Sequence, residues 1–154
     1  MGQSDPYKHR QTGTLIIYMM SILSLVLILS IGMIEPWYYT LSFIVVLVLV
    51  AIIFGSLTVE VRDEKLRFWF GPGIIRKSYD LQEITSATVV KNHWYYGWGI
   101  RLTPSGWLYN VSGWMAVELT LVSGKSLRIG TDEPHVLVAY VQSEIQKLKR
   151  QAPV

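Results

Sequence analysis

Two long uncharged stretches stand close together in the first third of the chain. No Asp, Glu, Lys or Arg occurs at 11–34 or at 36–59, so only Glu35 separates the two stretches. A helix needs ~20 apolar residues to cross ~30 Å of hydrocarbon, because it rises ~1.5 Å per residue. The pattern therefore predicts two membrane spans, at 14–34 and 37–54. The alternative is a pair of buried helices in a soluble core, and the rest of the chain is too short to surround them.

After residue 55 the hydrophobic period changes from helical to alternating. Apolar and polar residues alternate along 57–62 and along 65–70, and Asp63 and Glu64 between them suit a tight turn. Turn residues separate the segments that follow, and the eight candidate segments predict a domain of about seven strands. The later segments are a strand at 74–79, a helical turn at 80–84, and strands at 85–91, 99–103, 107–111, 116–121 and 126–129.

The last element returns to a helical period. Apolar residues recur on one helical face at Leu137, Val141, Ile145 and Leu148. Pro134 is tolerated in a first helical turn, so the helix is predicted to begin near it. Antiparallel strands leave an open end or edge, and a C-terminal helix is a common way to cover it.

Three segments of the predicted domain carry a resemblance to a known group of proteins. They are WYYGWGIR at 94–101, TPSGWLYNVSG at 103–113 and RIGTDEP at 128–134. Together with the preceding membrane hairpin, they resemble small bacterial membrane proteins that carry a PH-like domain. The resemblance covers residues 55–149. It implies a mainly-β, PH-like fold: a seven-stranded antiparallel barrel or sandwich capped by a C-terminal helix. It supplies no catalytic motif, because that group shares none.

Composition fits a small membrane protein with one extramembrane domain. Hydrophobic residues make up 51% of the chain and charged residues 16%, and the apolar excess lies before residue 55. The absence of cysteine excludes disulfides, thiol nucleophiles and cysteine-based metal sites. The predicted organisation is a cytoplasmic N-terminal tail at 1–13, a two-helix transmembrane hairpin at 14–55, a PH-like domain at 56–149 and a tail at 150–154.

Basic residues flank both predicted spans on the same side. Lys8 and Arg10 precede the first span, and Arg62, Lys65 and Arg67 follow the second. Positive charge stays on the cytoplasmic side of a membrane protein. We therefore predict an integral protein of a bacterial inner membrane with both termini in the cytoplasm.

No catalytic constellation is evident in the sequence. Asp132 and His135 could share a helix face, but two ligands without a third partner rarely form a metal site. The glycine-containing turns match no nucleotide-binding fingerprint. No basic stripe indicates a nucleic-acid partner. We predict a protein that is not an enzyme and has no metal or cofactor.

The candidate partner surface is an aromatic loop between two predicted strands. Its residues are His93, Trp94, Tyr95, Tyr96, Trp98 and Arg101. Exposed aromatic side chains beside an arginine are typical of interaction hot spots, and the same rings could enter the headgroup region of the membrane. The alternative is that the rings fill the open end of a small barrel. The leading hypothesis is protein interaction or scaffolding, by self-association or with another membrane protein.

The second hypothesis is that the domain binds anionic lipid headgroups. Many PH domains hold phosphates with basic residues around the loop that joins their first two strands, and Arg62, Lys65 and Arg67 resemble that pattern in part. Asp63 and Glu64 in the same turn oppose an anion. The alternative is that these basic residues only fix the orientation of the chain in the membrane.

Overall fold

A computed structural model describes residues 6–31, 33 and 36–151. Within these residues, nine strands form two sheets, and three α-helices accompany them. The helices are α1 (Thr14–Ser30), α2 (Trp37–Phe54) and α3 (Pro134–Gln151).

The first sheet contains four antiparallel strands in the order β1-β2-β3-β4. They are β1 (Tyr7–Thr12), β2 (Ser56–Arg62), β3 (Lys65–Phe70) and β4 (Ile75–Asp80). The second sheet contains five strands in the order β5-β8-β9-β7-β6. They are β5 (Ile84–Lys91), β6 (Gly99–Thr103), β7 (Gly106–Asn110), β8 (Met115–Leu121) and β9 (Ser126–Gly130).

Strand β1 lies in a segment that the sequence pattern placed in the N-terminal tail. It pairs with β2 along its whole length. Since α1 begins directly after β1 and β2 begins directly after α2, the two helices connect two neighbouring strands. The amide of Gly13 donates a hydrogen bond to the carbonyl of Gly55 at 2.9 Å and joins the two junctions. The sheet therefore begins before the helices, inside the segment predicted as the N-terminal tail.

Helices α1 and α2 lie side by side and expose apolar side chains elsewhere. Among the described residues, α2 alone is long and apolar enough to cross a membrane on length and composition, with 18 residues against 17 in α1. Helix α1 ends earlier than the predicted first span. The predicted end at Ile34 and the predicted tip at Glu35 lie outside the described residues.

The hydrophobic core lies between the two sheets and under α3. Phe68 of the first sheet contacts Tyr109 of the second, with ring centroids 4.8 Å apart. Full burial of a side chain such as Phe68 stabilises the fold by ~1.5–3 kcal/mol. Helix α3 contacts β5 and β8, and its predicted apolar face is buried at Leu137, Val141 and Ile145. The C-terminal helix is therefore confirmed.

The sheets differ from the prediction in strand number and direction. Nine strands replace about seven, and within the described residues the two sheets stay separate, so of the two predicted forms the closed barrel is not formed. Strands β7 and β9 run parallel, so the second sheet is mixed and not wholly antiparallel. The chain path explains this direction. Strand β8 does not pair with β7, and β9 lies between them in the sheet, antiparallel to β8 and parallel to β7.

Candidate interaction surface

The aromatic loop between β5 and β6 is exposed and packs mainly on itself. A short 3-10 turn forms at Trp94–Tyr96, and Gly97 follows it with a positive φ of 62°. The exposed fractions of Trp94 and Tyr95 are 77% and 60%. His93 stacks on Tyr95 with ring centroids 5.0 Å apart. These rings are therefore available to a partner and do not fill the domain core.

The ring of Tyr96 supports that of Tyr95 from the inner side of the loop. Their ring centroids are 4.8 Å apart, and the rings meet edge to face. A side-chain hydrogen bond with Tyr96 raises the pKa of Tyr95, so Tyr95 is uncharged at neutral pH.

Trp98 connects the aromatic loop to the segment between β7 and β8. Its ring lies 5.2 Å from the ring of Trp114, and its carbonyl accepts a hydrogen bond from Arg101 Nε at 3.4 Å. The amide of Asn92 donates to the carbonyl of Trp114 at 2.7 Å. The two segments therefore form one surface, which we call the aromatic end and define by residues 92–98 and 112–114.

The aromatic end lies at the same end of the domain as α1. Gln11, near the end of β1, donates a side-chain hydrogen bond to the carbonyl of Ser112 at 3.1 Å. A cavity of about 470 Å³ separates β1 and the start of α1 from the segment that contains Trp114, and Thr14 and Trp114 both line it. Through the contact of Trp98 with Trp114, the loop therefore lies at the end of the second sheet that is nearer to α1, and not at the far end of the sheets.

A partly buried ionic network holds the base of the aromatic loop. Arg128 Nε donates to a Glu118 carboxylate oxygen at 2.6 Å across the neighbouring strands β8 and β9. The same guanidinium donates to the side chains of Asn92 at 3.4 Å and Ser105 at 3.0 Å. Hydrogen bonds to charged groups stabilise more than neutral ones, and a partly buried site weakens their competition with water. Arg128 thus fixes Asn92, the residue directly ahead of the loop.

Of the predicted headgroup residues, two lie at the opposite end of the first sheet. Arg62 and Lys65 face each other where β2 and β3 join, and Lys65 Nζ lies 3.1 Å from an Asp80 carboxylate oxygen. With ~3.3 Å per strand residue, Arg62 is ~20 Å along β2 from the first residue of that strand. Arg67 lies nearer to α2, opposite Glu60. A headgroup role for Arg62 and Lys65 stays a prediction that this distance disfavours.

The histidine and acidic residues near α3 form contacts within the fold. His9 Nε2 lies 2.6 Å from an Asp132 carboxylate oxygen, and His9 Nδ1 lies 3.3 Å from a Glu133 oxygen. Asp132 is therefore engaged by β1 and not by His135, the partner considered from the sequence. Across the residues that the structure describes, no group of three or more His, Asp or Glu side chains could hold a metal ion.

Sequence reasoning found the exposed loop but missed the residues that place it. In the sequence, Glu118 and Arg128 are polar residues of two alternating strands. No nearby residue indicates that they are partners in the strand register. Trp114 was likewise not connected with the loop, because their contact depends on how β5, β7 and β8 are arranged in the sheet.

No family model matches the sequence, and no curated protein matches it at a significant level.

Proposed function

We propose that this protein is a membrane-anchored, non-catalytic interaction module of a bacterial inner membrane. In this proposal α1 and α2 cross the bilayer as a hairpin, both termini are cytoplasmic, and the two-sheet domain is PH-like. The aromatic end binds a protein in the same membrane, either a second copy of the chain or another membrane protein.

The pairing of β1 with β2 is the observation that makes the proposed anchor a hairpin of two helices. These strands flank the helices and hydrogen-bond to each other, so they must lie on one side of any membrane. The number of crossings between them is therefore even. If α2 crosses, α1 must cross as well, although it is one residue shorter. Seventeen helical residues extend ~25 Å, which slight thinning of the bilayer accommodates.

The surface of the helices favours two crossings over none. Large apolar side chains are exposed along both α1 and α2, while the two sheets and α3 enclose a core of their own. An apolar surface of that extent is unfavourable in water and favourable in lipid. Lys8 and Arg10 before α1 and Arg67 after α2 support a cytoplasmic domain by the positive-inside rule.

Two features support a PH-like assignment of the domain. Two facing sheets are followed by a C-terminal helix that packs over one side of them, as the resemblance of the sequence implies. Strand β1 and the parallel pair β7–β9 are departures from the predicted pattern. The fold alone does not specify a ligand, so the interaction role rests on the aromatic end.

The position of the aromatic end supports a partner in the same membrane. Exposed tryptophan and tyrosine rings are enriched in protein interfaces and contribute most when they become fully desolvated. Here they lie at the end of the domain that is nearer to α1, and the domain is attached through two paired strands without a linker. A partner must therefore approach close to the bilayer.

The test is site-specific photocrosslinking of the full chain in its native membrane. The chain has no cysteine, so Tyr95→Cys supplies a single attachment site for a photoactivatable group. Val122→Cys is the matched control, because Val122 is also exposed but lies in the turn after β8, away from α1. We expect discrete adducts from position 95 and none from position 122.

Trp94→Ala in the Tyr95→Cys background should weaken the captured complex by about tenfold or more, as truncation of a hot spot does. Thermal unfolding should not change, since the Trp94 side chain is exposed. An adduct of twice the chain mass identifies self-association, and a different mass identifies another protein. Equal adducts from both positions, or none from position 95, would contradict the proposal.

A further inference from the structure

The outer face of the first sheet carries a row of four residues near the helix junctions. Strand register places Arg10, Thr58, Trp69 and Arg76 side by side across β1, β2, β3 and β4. We call these four residues the proximal row. Their side chains point away from the core, because the alternate positions Leu57, Val59, Phe68 and Phe70 are buried in it, although Thr58 is itself buried between its neighbours on the outer face.

The two arginines of the proximal row have no anionic partner in the described part of the chain. Arg10 and Arg76 are exposed, and neither forms an ion pair there. Trp69 lies between them and is half-buried, and Lys8 Nζ is 5.5 Å from the centroid of its ring. Asp132 lines the cavity beside Arg10, but its carboxylate already contacts His9.

Charge on this face changes sign with distance from the helices. The proximal row and the next row, which contains Lys8, Glu60, Arg67 and Ser78, hold four cations and one carboxylate. The far end of the sheet holds two cations and three carboxylates. These are Arg62 and Lys65 with Asp63, Glu64 and Asp80. The basic part of the face is therefore the part nearest to α1 and α2.

Distance separates the proximal row from the far end of the sheet. Each headgroup layer of a bilayer is ~5–7 Å thick, since a ~30 Å core grows to ~40–45 Å with both layers. At ~3.3 Å per residue, Thr58 lies ~7 Å along β2 from its first residue, whereas Arg62 lies ~20 Å away. Long arginine side chains extend several ångströms further toward an interface. The proximal row can reach headgroups, and the far end cannot.

The turn between β3 and β4 adds an apolar contact at the same level. Phe70 at the end of β3 contacts Phe54 at the end of α2, with ring centroids 5.4 Å apart. Gly71 follows and lies directly against the carbonyls of the last turn of α2. Ile74 in this turn is apolar and yet 70% exposed. Ile74 therefore adds an exposed apolar side chain in the turn that packs against the end of α2.

We propose that Arg10, Trp69 and Arg76 of the proximal row bind the anionic phospholipid headgroups of the leaflet beside the domain, with Ile74 at the edge of the acyl chains. This inference rests on the proposed anchoring by α1 and α2. The guanidinium groups of Arg10 and Arg76 bind phosphate oxygens, as bidentate arginine–phosphate pairs do. Trp69 provides an interfacial aromatic ring between them, and Ile74 contacts the acyl-chain boundary. The contact fixes the angle between the domain and the membrane.

The test uses the full chain in nanodiscs of phosphatidylcholine mixed with phosphatidylglycerol. Pro72→Cys, in the exposed turn next to Ile74, carries a fluorophore. Quenching by nitroxide-labelled phosphatidylglycerol is compared with quenching by nitroxide-labelled phosphatidylcholine. We expect the anionic lipid to quench more strongly, and the ratio to fall about fivefold for each of Arg10→Gln and Arg76→Gln. The matched pair Arg62→Gln and Lys65→Gln, which removes the same charge at the far end, should leave the ratio unchanged.

Each remaining outcome decides between this proposal and another. Equal quenching ratios in the proximal and far-end variants overturn headgroup binding by the proximal row. The same conclusion follows if Arg10→Gln and Arg76→Gln lose a crosslinked partner protein but leave the quenching ratio unchanged. Displacement of phosphatidylglycerol by inorganic phosphate at constant ionic strength indicates a free-anion site instead. Release of the chain from the bilayer by carbonate overturns the anchor, and this inference with it. Thermal unfolding of the variants verifies that they fold.

Discussion

Tyr7 shows how one residue of β1 is tied to the rest of the domain. Its ring contacts the ring of Tyr140 on α3, with centroids 5.6 Å apart. Burial, followed by the charges of Glu133 and Asp132, raises the pKa of Tyr7 from 10.0 to about 12. The buried hydroxyl has no hydrogen-bond partner among the described residues. The folded state therefore favours the neutral phenol.

Ionisation of Tyr7 should destabilise the fold at high pH. The unfolded chain releases this proton near pH 10.0 and the folded chain near 12. The contribution of the neutral phenol to the stability of the fold is therefore complete below pH 10.0 and is lost as the pH rises through about 12. Tyr7→Phe should show a smaller alkaline loss of the free energy of unfolding. At neutral pH it should change stability by less than ~1 kcal/mol, because the hydroxyl has no partner to lose.

Denaturant unfolding of the detergent-solubilised protein as a function of pH measures this difference. Part of the alkaline loss should persist in Tyr7→Phe, because burial and then Glu83 also raise the pKa of Tyr79. Tyr79→Phe is therefore the comparison variant. Identical pH profiles for Tyr7→Phe and the parent protein would contradict a buried Tyr7.

At the scale of elements, the joint between α2 and the β3–β4 turn leaves no room for a side chain. A Cβ atom added to Gly71 would lie 2.3 Å from the carbonyl oxygen of Ile52 and 2.7 Å from that of Ile53. Gly71 also has a positive φ of 45°, which a side chain disfavours. The backbone of α2 cannot move away without disturbing β2, which follows it directly. Glycine at this position therefore lets the sheet lie against the helix end.

Gly71→Ala should destabilise the domain through this joint. The matched control is Gly124→Ala, because Gly124 also has a positive φ, of 79°, but has open space where a Cβ would lie. The control should lose only the ~1–2 kcal/mol of unfolding free energy that a side chain costs in a left-handed backbone conformation. Gly71→Ala should lose clearly more unfolding free energy than this. Thermal unfolding in detergent measures both losses. Equal losses would show that contact with α2 is not needed.

Elements with a clear hydrophobic period could be predicted from the sequence, and β1 could not. Helix α3 has one apolar face, and β2 and β3 alternate plainly, so local pattern was sufficient for them. The inward positions of β1 are Tyr7, His9 and Gln11, none of which is aliphatic. Its partner strand follows two helices later in the chain. Tertiary pairing, and not local preference, makes this segment a strand.

The candidate surfaces were predictable only in part for a related reason. An aromatic loop is visible in the sequence, but its position at the end of the domain that is nearer to α1 depends on contacts between distant segments, such as Gln11 with Ser112. Likewise, Arg10 and Arg76 are separated by most of the chain and become neighbours of Trp69 only through strand register. The basic residues nearest in sequence to α2 were considered instead, and of these Arg62 and Lys65 lie far from it.

At the scale of the whole molecule, the attachment through two strands limits what the domain can reach. A domain on a single flexible linker sweeps a large volume. Here both helices continue directly into paired strands, and the Gly13–Gly55 hydrogen bond joins the junctions. The proposed headgroup contact and the aromatic end then lie at the same level of the membrane. Lipid contact on the first sheet would orient the aromatic rings toward neighbours in the bilayer plane.

The same connectivity makes a sharp prediction about topology. Single cysteines replace Pro6 ahead of β1, Met33 between the helices and Ser123 in the domain, all of which are described and exposed. We expect a membrane-impermeant maleimide to label Met33→Cys in spheroplasts, and to label the other two only after permeabilisation. Since β1 pairs with β2, Pro6 and Ser123 must respond alike. Different labelling of those two would disprove the strand pairing, whereas equal labelling of all three would show that α1 and α2 do not cross.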